Sequence, residues 1–329
     1  MTDMTDFRYH LARRESVCPA CGRRRFKLYM DAADRPLHSS CGRCNRENNC
    51  GYHLTPRQFL ASHPECGDAS PLPPTLPPTP CDTMPMAWVD RSYAYCRGGN
   101  RLRSWLRTRF DPDTVDRVLL CYATGGSRVM EGSMVFWQID SHMRVRSGKI
   151  MAFDADGRRV RPADGEPPAT RYVHTLPGAV RRGYRYAGCF FGAHLTAALP
   201  PEATRIVVVE SEKTALYLAL HLQRRGLFPA RVLPVATGGS SGICFSLDRM
   251  ADPDYRWRDL AGRPLVLIPD ADATAKWRAA AVQLRRVCPS VVVVDISSRA
   301  ASPSDDILDI LEARRAAAAR PRRDASRMP

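Results

Sequence analysis

The sequence of 329 residues contains no apolar run that approaches the ~20 residues a membrane span needs. Its opening, MTDMTDFRYH, is polar and lacks the apolar stretch of a secretory signal. There is no internal repeat and no Walker A glycine-lysine pattern. Acidic side chains are the minority, 34 Asp and Glu against 49 Lys and Arg. Together these absences argue against a membrane protein or an exported one, and the expected location is the cytoplasm. Twelve cysteines in a chain without an export signal are expected to be reduced, so clustered ones read as metal ligands before disulfides.

What is present fits about two domains by length, and 44% apolar content suffices for real cores. The net charge of +15 is unevenly spread. Residues 1–65 carry 11 basic against 7 acidic groups, and residues 86–200 carry 18 against 10. Residues 201–312 balance at 14 and 14, while 313–329 hold 6 arginines and 1 acid. A basic first half suggests a polyanionic partner, nucleic acid foremost. The plainer alternative is an arginine-rich coding composition.

Eight prolines fall between residues 64 and 85, a composition expected to form an extended spacer. It separates a cysteine-rich module, 1–63, from the remainder. Residues 86–200 read as a basic α+β section. A helical stretch there offers Trp105, Leu106 and Phe110, and MVFWQID, VRSGKIMAF and RRVRP read as short strands. Tight turns are expected at Asp140-Ser141 and Asp156-Gly157. From 201 to 312 the pattern is regular. The runs RIVVVE, RVLPVATGG, PLVLIPDADA and VVVVDI alternate with the helical patterns SEKTALYLALHLQRRG, SGICFSLDRM, TAKWRAAAVQLRRV and DDILDILEARRAAAA. Alternating buried strands and helices predict an α/β fold with a parallel sheet covered on both faces. Such sheets place their chemistry at the carboxyl ends of the strands. Residues 313–329 read as a basic, disordered tail.

In the module, Cys18-Pro-Ala-Cys21 and Cys41-Gly-Arg-Cys44 precede Cys50 and His53. A Cys-x2-Cys turn lets two thiolates reach one ion, and two such turns complete a tetrahedron. Zinc binding would supply folding energy that so short a segment lacks. Spacing favours Cys18, Cys21, Cys41 and Cys44; a second option is Cys18, Cys21, Cys44 and Cys50. Arg23, Arg24, Arg25, Lys27, Arg43 and Arg46 lie among Phe26, Tyr29 and Tyr52. Basic groups beside exposed aromatics suit a single strand of nucleic acid, whereas buried aromatics would form the ribbon's small core.

At the far end of the chain, Glu210 closes one strand while Asp270 and Asp272 close another. Alternate residues leaving a strand point the same way, so the two aspartates can share a hard cation such as Mg²⁺. Glu210 could complete that site or act as a general acid or base. Acids at strand ends also cap the following helices, which is the alternative.

These motifs resemble the TOPRIM domain of primases, topoisomerases and related nucleases. The resemblance rests on VVESEKTAL, then ATGGSSG, then PDADA, with Glu210, Gly238-Gly239, and Asp270 and Asp272 at the matching positions. SDDILDIL, with Asp306 and Asp309, is similar to a late acidic motif of phage-type primases. Ser211 departs from the glycine usual after that glutamate in bacterial primases. The order of zinc ribbon, proline linker, basic section and acidic α/β domain is also that of phage and bacterial primases. More narrowly, GRCNRENNCGYHLTPRQF, FWQID, GKIMAFD, FFGAHL and VVESEKTA resemble a zinc-ribbon and TOPRIM family of bacterial mobile elements. The second zinc pair of that family falls at Cys44 and Cys50, so the resemblance selects Cys18, Cys21, Cys44 and Cys50.

The resemblance implies a primase-like nucleotidyltransferase with structural Zn²⁺ and catalytic Mg²⁺. Its partners would be single-stranded DNA, held by the zinc ribbon, and nucleotides. Without a Walker A pattern no helicase is fused, so any helicase would be a separate partner. Glu210, Asp270 and Asp272 would hold Mg²⁺. Arg144, Arg146 and Lys149, then Lys213 beside Gly238 and Gly239, would meet phosphates. A nuclease using the same acids and a non-catalytic DNA-binding replication or transfer protein are the alternatives.

Overall fold

The structure is a computed structural model, and it describes residues 9–12, 14–31, 33–46, 50–63, 80–162 and 169–319. The chain divides into two compact units, Met1–Pro77 and Pro78–Pro329. Most of the expected proline spacer lies outside the described residues; of the tail expected to be disordered from residue 313, residues 313–319 instead form the end of a helix, Ile307–Ala319, and the remainder lies outside the described residues.

The first unit is a four-stranded antiparallel sheet in the order β1-β2-β3-β4, formed by β1 (His10–Leu11), β2 (Phe26–Met30), β3 (Gly42–Cys44) and β4 (His53–Leu54). Its core is small, with Phe26 fully buried beside Cys18 and Cys44 and with Leu28 and Tyr52 against them. Gly42 permits the close strand approach, because a Cβ there would sit 2.3 Å from the Lys27 carbonyl. Helix α1 (Pro56–Ser62) starts at a reciprocal cap: the Thr55 hydroxyl accepts from the Gln58 N–H, and the Gln58 side chain accepts from the Thr55 N–H.

The second unit opens with helices α2 (Met86–Arg97), α3 (Arg101–Arg107) and α4 (Pro112–Cys121). Asn100 caps α3 by accepting from the Arg103 N–H at 2.9 Å, and Asp111 caps α4, which has Pro112 in its first turn. An antiparallel sheet follows in the order β5-β6-β7-β8: β5 (Gly125–Gly126), β6 (Met134–Ile139), β7 (Val145–Met151) and β8 (Thr170–Tyr172). Every residue of β6 and β7 is buried. Met134 and Phe136 pack into the main core, while Val135, Trp137 and Ile139 form a second cluster with Val145, Ile150 and Val173. Burial on both faces explains why MVFWQI reads as a continuous apolar run. The turn between β6 and β7 is organised by Asp140, whose carboxylate accepts from the His142 and Arg144 N–H groups at 2.9 Å.

The remaining elements are β9 (Arg205–Val209), α5 (Glu212–Gln223), β10 (Val232–Ala236), β11 (Leu265–Leu267), α6 (Thr274–Leu284), β12 (Val291–Val293) and α7 (Ile307–Ala319). The four strands form a parallel sheet in the order β10-β9-β11-β12. This is the parallel sheet that the alternating pattern predicts. The core runs across residue 200, since Leu102, Trp105 and Phe110 share one cluster with Ile206, Val208, Leu220 and Trp277.

Two expected elements are absent as such. RRVRP makes only an isolated bridge, Phe153 to Arg159, and the third long-range strand is β8 instead. Arg158, Arg159 and Arg161 are exposed, so the segment has no apolar face to bury. SGICFSLDRM forms two short 3₁₀ turns, Ser240–Ile243 and Asp248–Ala251, rather than an α-helix. Gly242 lies so close to Thr237 that a Cβ would be 2.5 Å from that side chain, and this contact fixes the backbone against the end of β10. No helix among the described residues is long and apolar enough to cross a membrane.

Candidate functional site

The first unit gathers the sulfurs of Cys18, Cys21, Cys44 and Cys50 within 4.8 Å of one another. Cys18 and Cys50 are 3.8 Å apart, and Cys21 and Cys44 are 4.0 Å apart. A tetrahedral zinc with ~2.3 Å bonds to sulfur requires sulfurs ~3.8 Å apart, so this donor set fits structural Zn²⁺. A tight turn presents the first pair, with the Gly22 N–H donating to the Cys18 carbonyl at 2.9 Å and Gly22 at φ 65°. The backbone N–H of Arg23 lowers the pKa of the Cys21 thiol, while burial and the neighbouring thiols raise those of Cys44 and Cys50. Cys41 is outside the cluster, fully buried, and its thiol donates to the Leu54 carbonyl at 3.5 Å. Of the ribbon aromatics, Phe26 and Tyr52 pack together in the core with centroids 5.7 Å apart. Tyr29 is half-buried and its hydroxyl lies 2.9 Å from the His53 ring.

In the second unit the ends of β9 and β11 carry the acidic residues. Burial raises the pKa of Glu210, and Asp272 and Asp306 add to the rise, while the Trp277 indole and Lys276 oppose it. Asp270 is pushed up to about 8, first by burial and then by the charges of Glu210, Asp306, Asp272 and Asp309. Asp272 is exposed. Asp306 is brought here by the start of α7, where its carboxylate accepts from the Leu308 and Asp309 N–H groups at 2.7 and 3.1 Å. The Thr214 hydroxyl of α5 donates to the same carboxylate. The Ala271 and Asp272 N–H groups donate to the carbonyls of Asp305 and Pro303 at 3.0 and 2.9 Å, tying the Asp-x-Asp segment to the approach of α7.

All donors of this group are oxygens, the chemistry that suits Mg²⁺. Among the described residues no three of its carboxylates converge within 4.8 Å, in contrast to the cysteines.

Beside the acids, Gly238 and Gly239 turn the chain after β10 at φ 81° and 144°. The Gly238 N–H donates to the Glu210 carbonyl at 3.0 Å, and a Cβ at Gly238 would come 3.2 Å from the Glu212 carboxylate. Lys149 of β7 reaches this turn from the antiparallel sheet. Its ammonium is 3.0 Å from both the Glu212 carboxylate and the Gly238 carbonyl. Glu212 is almost fully buried, so the pair pins the turn to the first residue of α5. Lys213 points elsewhere, donating to the Gly157 carbonyl at 3.2 Å beside the Trp105 ring.

Arg144 and Arg146 are engaged by carboxylates. Arg146, 3% exposed, pairs with Asp140 at 2.7 Å and Asp254 at 2.9 Å, and Arg144 pairs with the same two at 2.8 and 3.2 Å. Reasoning from sequence overlooked Glu212, Asp140 and Asp254 as partners of these cations. Glu212 lies inside the ESEK motif and could have been singled out there; Asp254 has no such signal.

Residues 100–271 match a family described as "Domain of unknown function (DUF6371)". Residues 7–65 match a zinc beta-ribbon finger family. No protein of curated function matches. The primase fragment of the bacteriophage T7 primase-helicase protein aligns over 93% of this chain and 95% of its own, at 15% identity and a TM-score of 0.35. A bacteriophage T7 structure of the lagging-strand DNA polymerase with primase domains bound to an RNA/DNA hybrid and dTTP aligns over 61% of this chain and 82% of that one. Its identity is 15% and its TM-score 0.32. TM-scores of this size do not establish a shared topology.

Proposed function

The chain belongs to the DUF6371 family, and from that premise we propose that it is a TOPRIM-type, Mg²⁺-dependent nucleotidyltransferase that synthesises primers on single-stranded DNA. The observation that carries this reading is the gathering of Glu210, Asp270, Asp272, Asp306 and Asp309 about the ends of β9 and β11, where burial first and then the neighbouring charges push Asp270 up to about 8. A fold keeps like charges so close where a cation offsets them. The TOPRIM resemblance of Glu210, Gly238-Gly239, Asp270 and Asp272, in that order, supports the same conclusion.

Bound Mg²⁺ would neutralise phosphoryl oxygens and lower the pKa of an attacking hydroxyl. Asp270 and Asp272 would hold the ion, with Asp306 near enough to raise the charge of the site. Glu210, a stronger base than an ordinary carboxylate, would take the proton of the attacking 3′ hydroxyl. Lys149 would position the Gly238-Gly239 turn through Glu212. The exposed arginines of the basic section would meet the template and the triphosphate. The zinc ribbon would contribute single-strand affinity.

The test is incubation of the purified chain with single-stranded DNA, Mg²⁺ and labelled nucleotides, beside Asp270→Asn. Labelled oligonucleotides from the wild type and none from the variant are expected. Shortening of the DNA without synthesis would replace this reading by a nuclease, and no Asp270-dependent product of either kind would refute it.

A further inference from the structure

The face of the antiparallel sheet that carries Lys149 also carries a cluster of aromatic rings. In register, Gln138 lies opposite Ser147, and Lys149 lies opposite Tyr172. Ser147, Lys149 and Met151 point to one face of β7, so Gln138 and Tyr172 flank that same face. Two of its polar residues, Ser147 and Gln138, each hold a ring. The Ser147 hydroxyl lies 2.7 Å from the His174 ring nitrogen, and the Tyr186 hydroxyl donates to the Gln138 side chain at 2.5 Å. Tyr186 then stacks on His174, with centroids 4.1 Å apart and planes 15° apart, and the Tyr172 ring tilts toward both.

Three features distinguish this cluster from core packing. Tyr186 is 38% exposed. It also lines an open cavity of about 380 Å³ whose wall includes Arg185, Arg249, Asp252 and Asp254, with Arg249 paired to Asp252 at 3.4 Å. The segment that delivers it, residues 181–186, carries the exposed cations Arg181, Arg182 and Arg185, of which Arg181 pairs with Asp82 at 2.6 Å and Arg185 donates to the Pro80 carbonyl at 3.3 Å. Burial lowers the pKa of His174, whose ring also stacks with Tyr184 at 6.2 Å and 14°. The His174 and Tyr186 rings are fixed by hydrogen bonds before any ligand arrives, so little ordering is needed on binding.

We infer that Tyr172, His174 and Tyr186, with the arginine strap over them, form a base-stacking platform for single-stranded nucleic acid. Aromatic faces stack on any base, and the flanking arginines donate to the backbone phosphates. Lys149, directly opposite Tyr172 in register, links the platform to the Gly238 turn and hence to the acidic residues. The identity of the strand as a template rests on the primer-synthesis reading; the platform as a binding surface does not.

The experiment measures binding of the full chain to a labelled short oligothymidylate and to a backbone-matched abasic strand, without Mg²⁺. Wild type is expected to prefer the oligothymidylate. Tyr186→Leu is expected to weaken that strand at least about fivefold, the lower end of the effect of losing one stacked base, and to leave the abasic strand unchanged. Tyr186→Phe keeps the ring and retains binding. Equal binding by Tyr186→Leu and wild type, or equal loss in Tyr186→Phe, would overturn the inference. Photocrosslinking of wild type to a 5-iododeoxyuridine strand covers the case in which Tyr186→Leu does not fold. Adducts on Tyr172, His174 or Tyr186 are expected, and adducts confined to residues 9–63 would overturn the platform. Asp270→Asn separates the two readings. It is expected to bind like wild type while making no primer, and a chain that makes no primer yet shows the Tyr186 effect keeps the platform and loses the primase.

Discussion

Replacing Asp270 by Asn is expected to stabilise the second unit in the absence of divalent cations. Asn is isosteric and carries no charge, so it removes only the electrostatic cost. With its pKa pushed up to about 8, against an ordinary ~3.9, the carboxyl resists ionisation by about 6 kcal/mol as a ceiling. Water on the open side of the site and relaxation of the neighbouring carboxylates reduce this to about 2–3 kcal/mol. The sign follows from proton linkage. The folded state holds this proton more tightly than the unfolded state, so stability falls as pH rises. Wild type and variant should coincide below about pH 4, where Asp270 is protonated in both states. They should separate between pH 4 and 8 and differ fully above the folded pKa of about 8. For a unit of this size the gap corresponds to about 5–10 °C in Tm. All five tryptophans, Trp88, Trp105, Trp137, Trp257 and Trp277, lie in the second unit, so their fluorescence isolates its melting from that of the ribbon. Mg²⁺ should then raise the Tm of wild type and have little effect on Asp270→Asn. A variant no more stable than wild type at pH 8 in chelator, or one stabilised by Mg²⁺ to the same extent, would refute the argument that these acids are held for a cation.

Two further outcomes test the remaining parts. The purified chain should contain equimolar zinc, retained in Cys41→Ser and lost in Cys50→Ser with unfolding of the ribbon, as elemental analysis and circular dichroism would show; retention in Cys50→Ser would remove that residue from the ligand set. Lys149→Met should cost about 3–5 kcal/mol in urea denaturation followed by tryptophan fluorescence, because it leaves Glu212 buried without its cation. The double change Lys149→Met with Glu212→Leu should recover most of that loss, and failure to do so would mean that Lys149 acts through something other than this pair.

The parallel sheet was legible because its strands are apolar runs too short for helices and end on acids or glycines. RIVVVE, RVLPVATGG and PLVLIPDADA became β9, β10 and β11. Their burial leaves little choice of conformation or partner. RRVRP and SGICFSLDRM were misread for the opposite reason. Their structure depends on what packs beside them, exposed solvent for the first and the Thr237 side chain against Gly242 for the second.

The cysteines show the same division at one site. Spacing by itself pairs Cys41 with Cys44, as two ends of a Cys-x2-Cys turn. In the structure the chain is already extended at Gly42–Cys44, and residues three apart on a strand point to opposite faces. Cys44 therefore faces Cys21 while Cys41 turns to the Leu54 carbonyl, and Cys50 completes the set.

The sequence by itself determined which chemistry this protein carries, namely a thiolate set, a row of strand-end acids and a basic surface, because residue type and local periodicity fix those. Only the tertiary structure decided which charges are occupied. Arg146 with Asp254, Lys149 with Glu212, and the rings of Tyr172 and Tyr186 are brought together by strand register and sheet packing. The first two pairs are 108 and 63 residues apart in the chain (254 − 146 and 212 − 149). Contacts at such separations follow from the burial of a shared core, which no local pattern encodes.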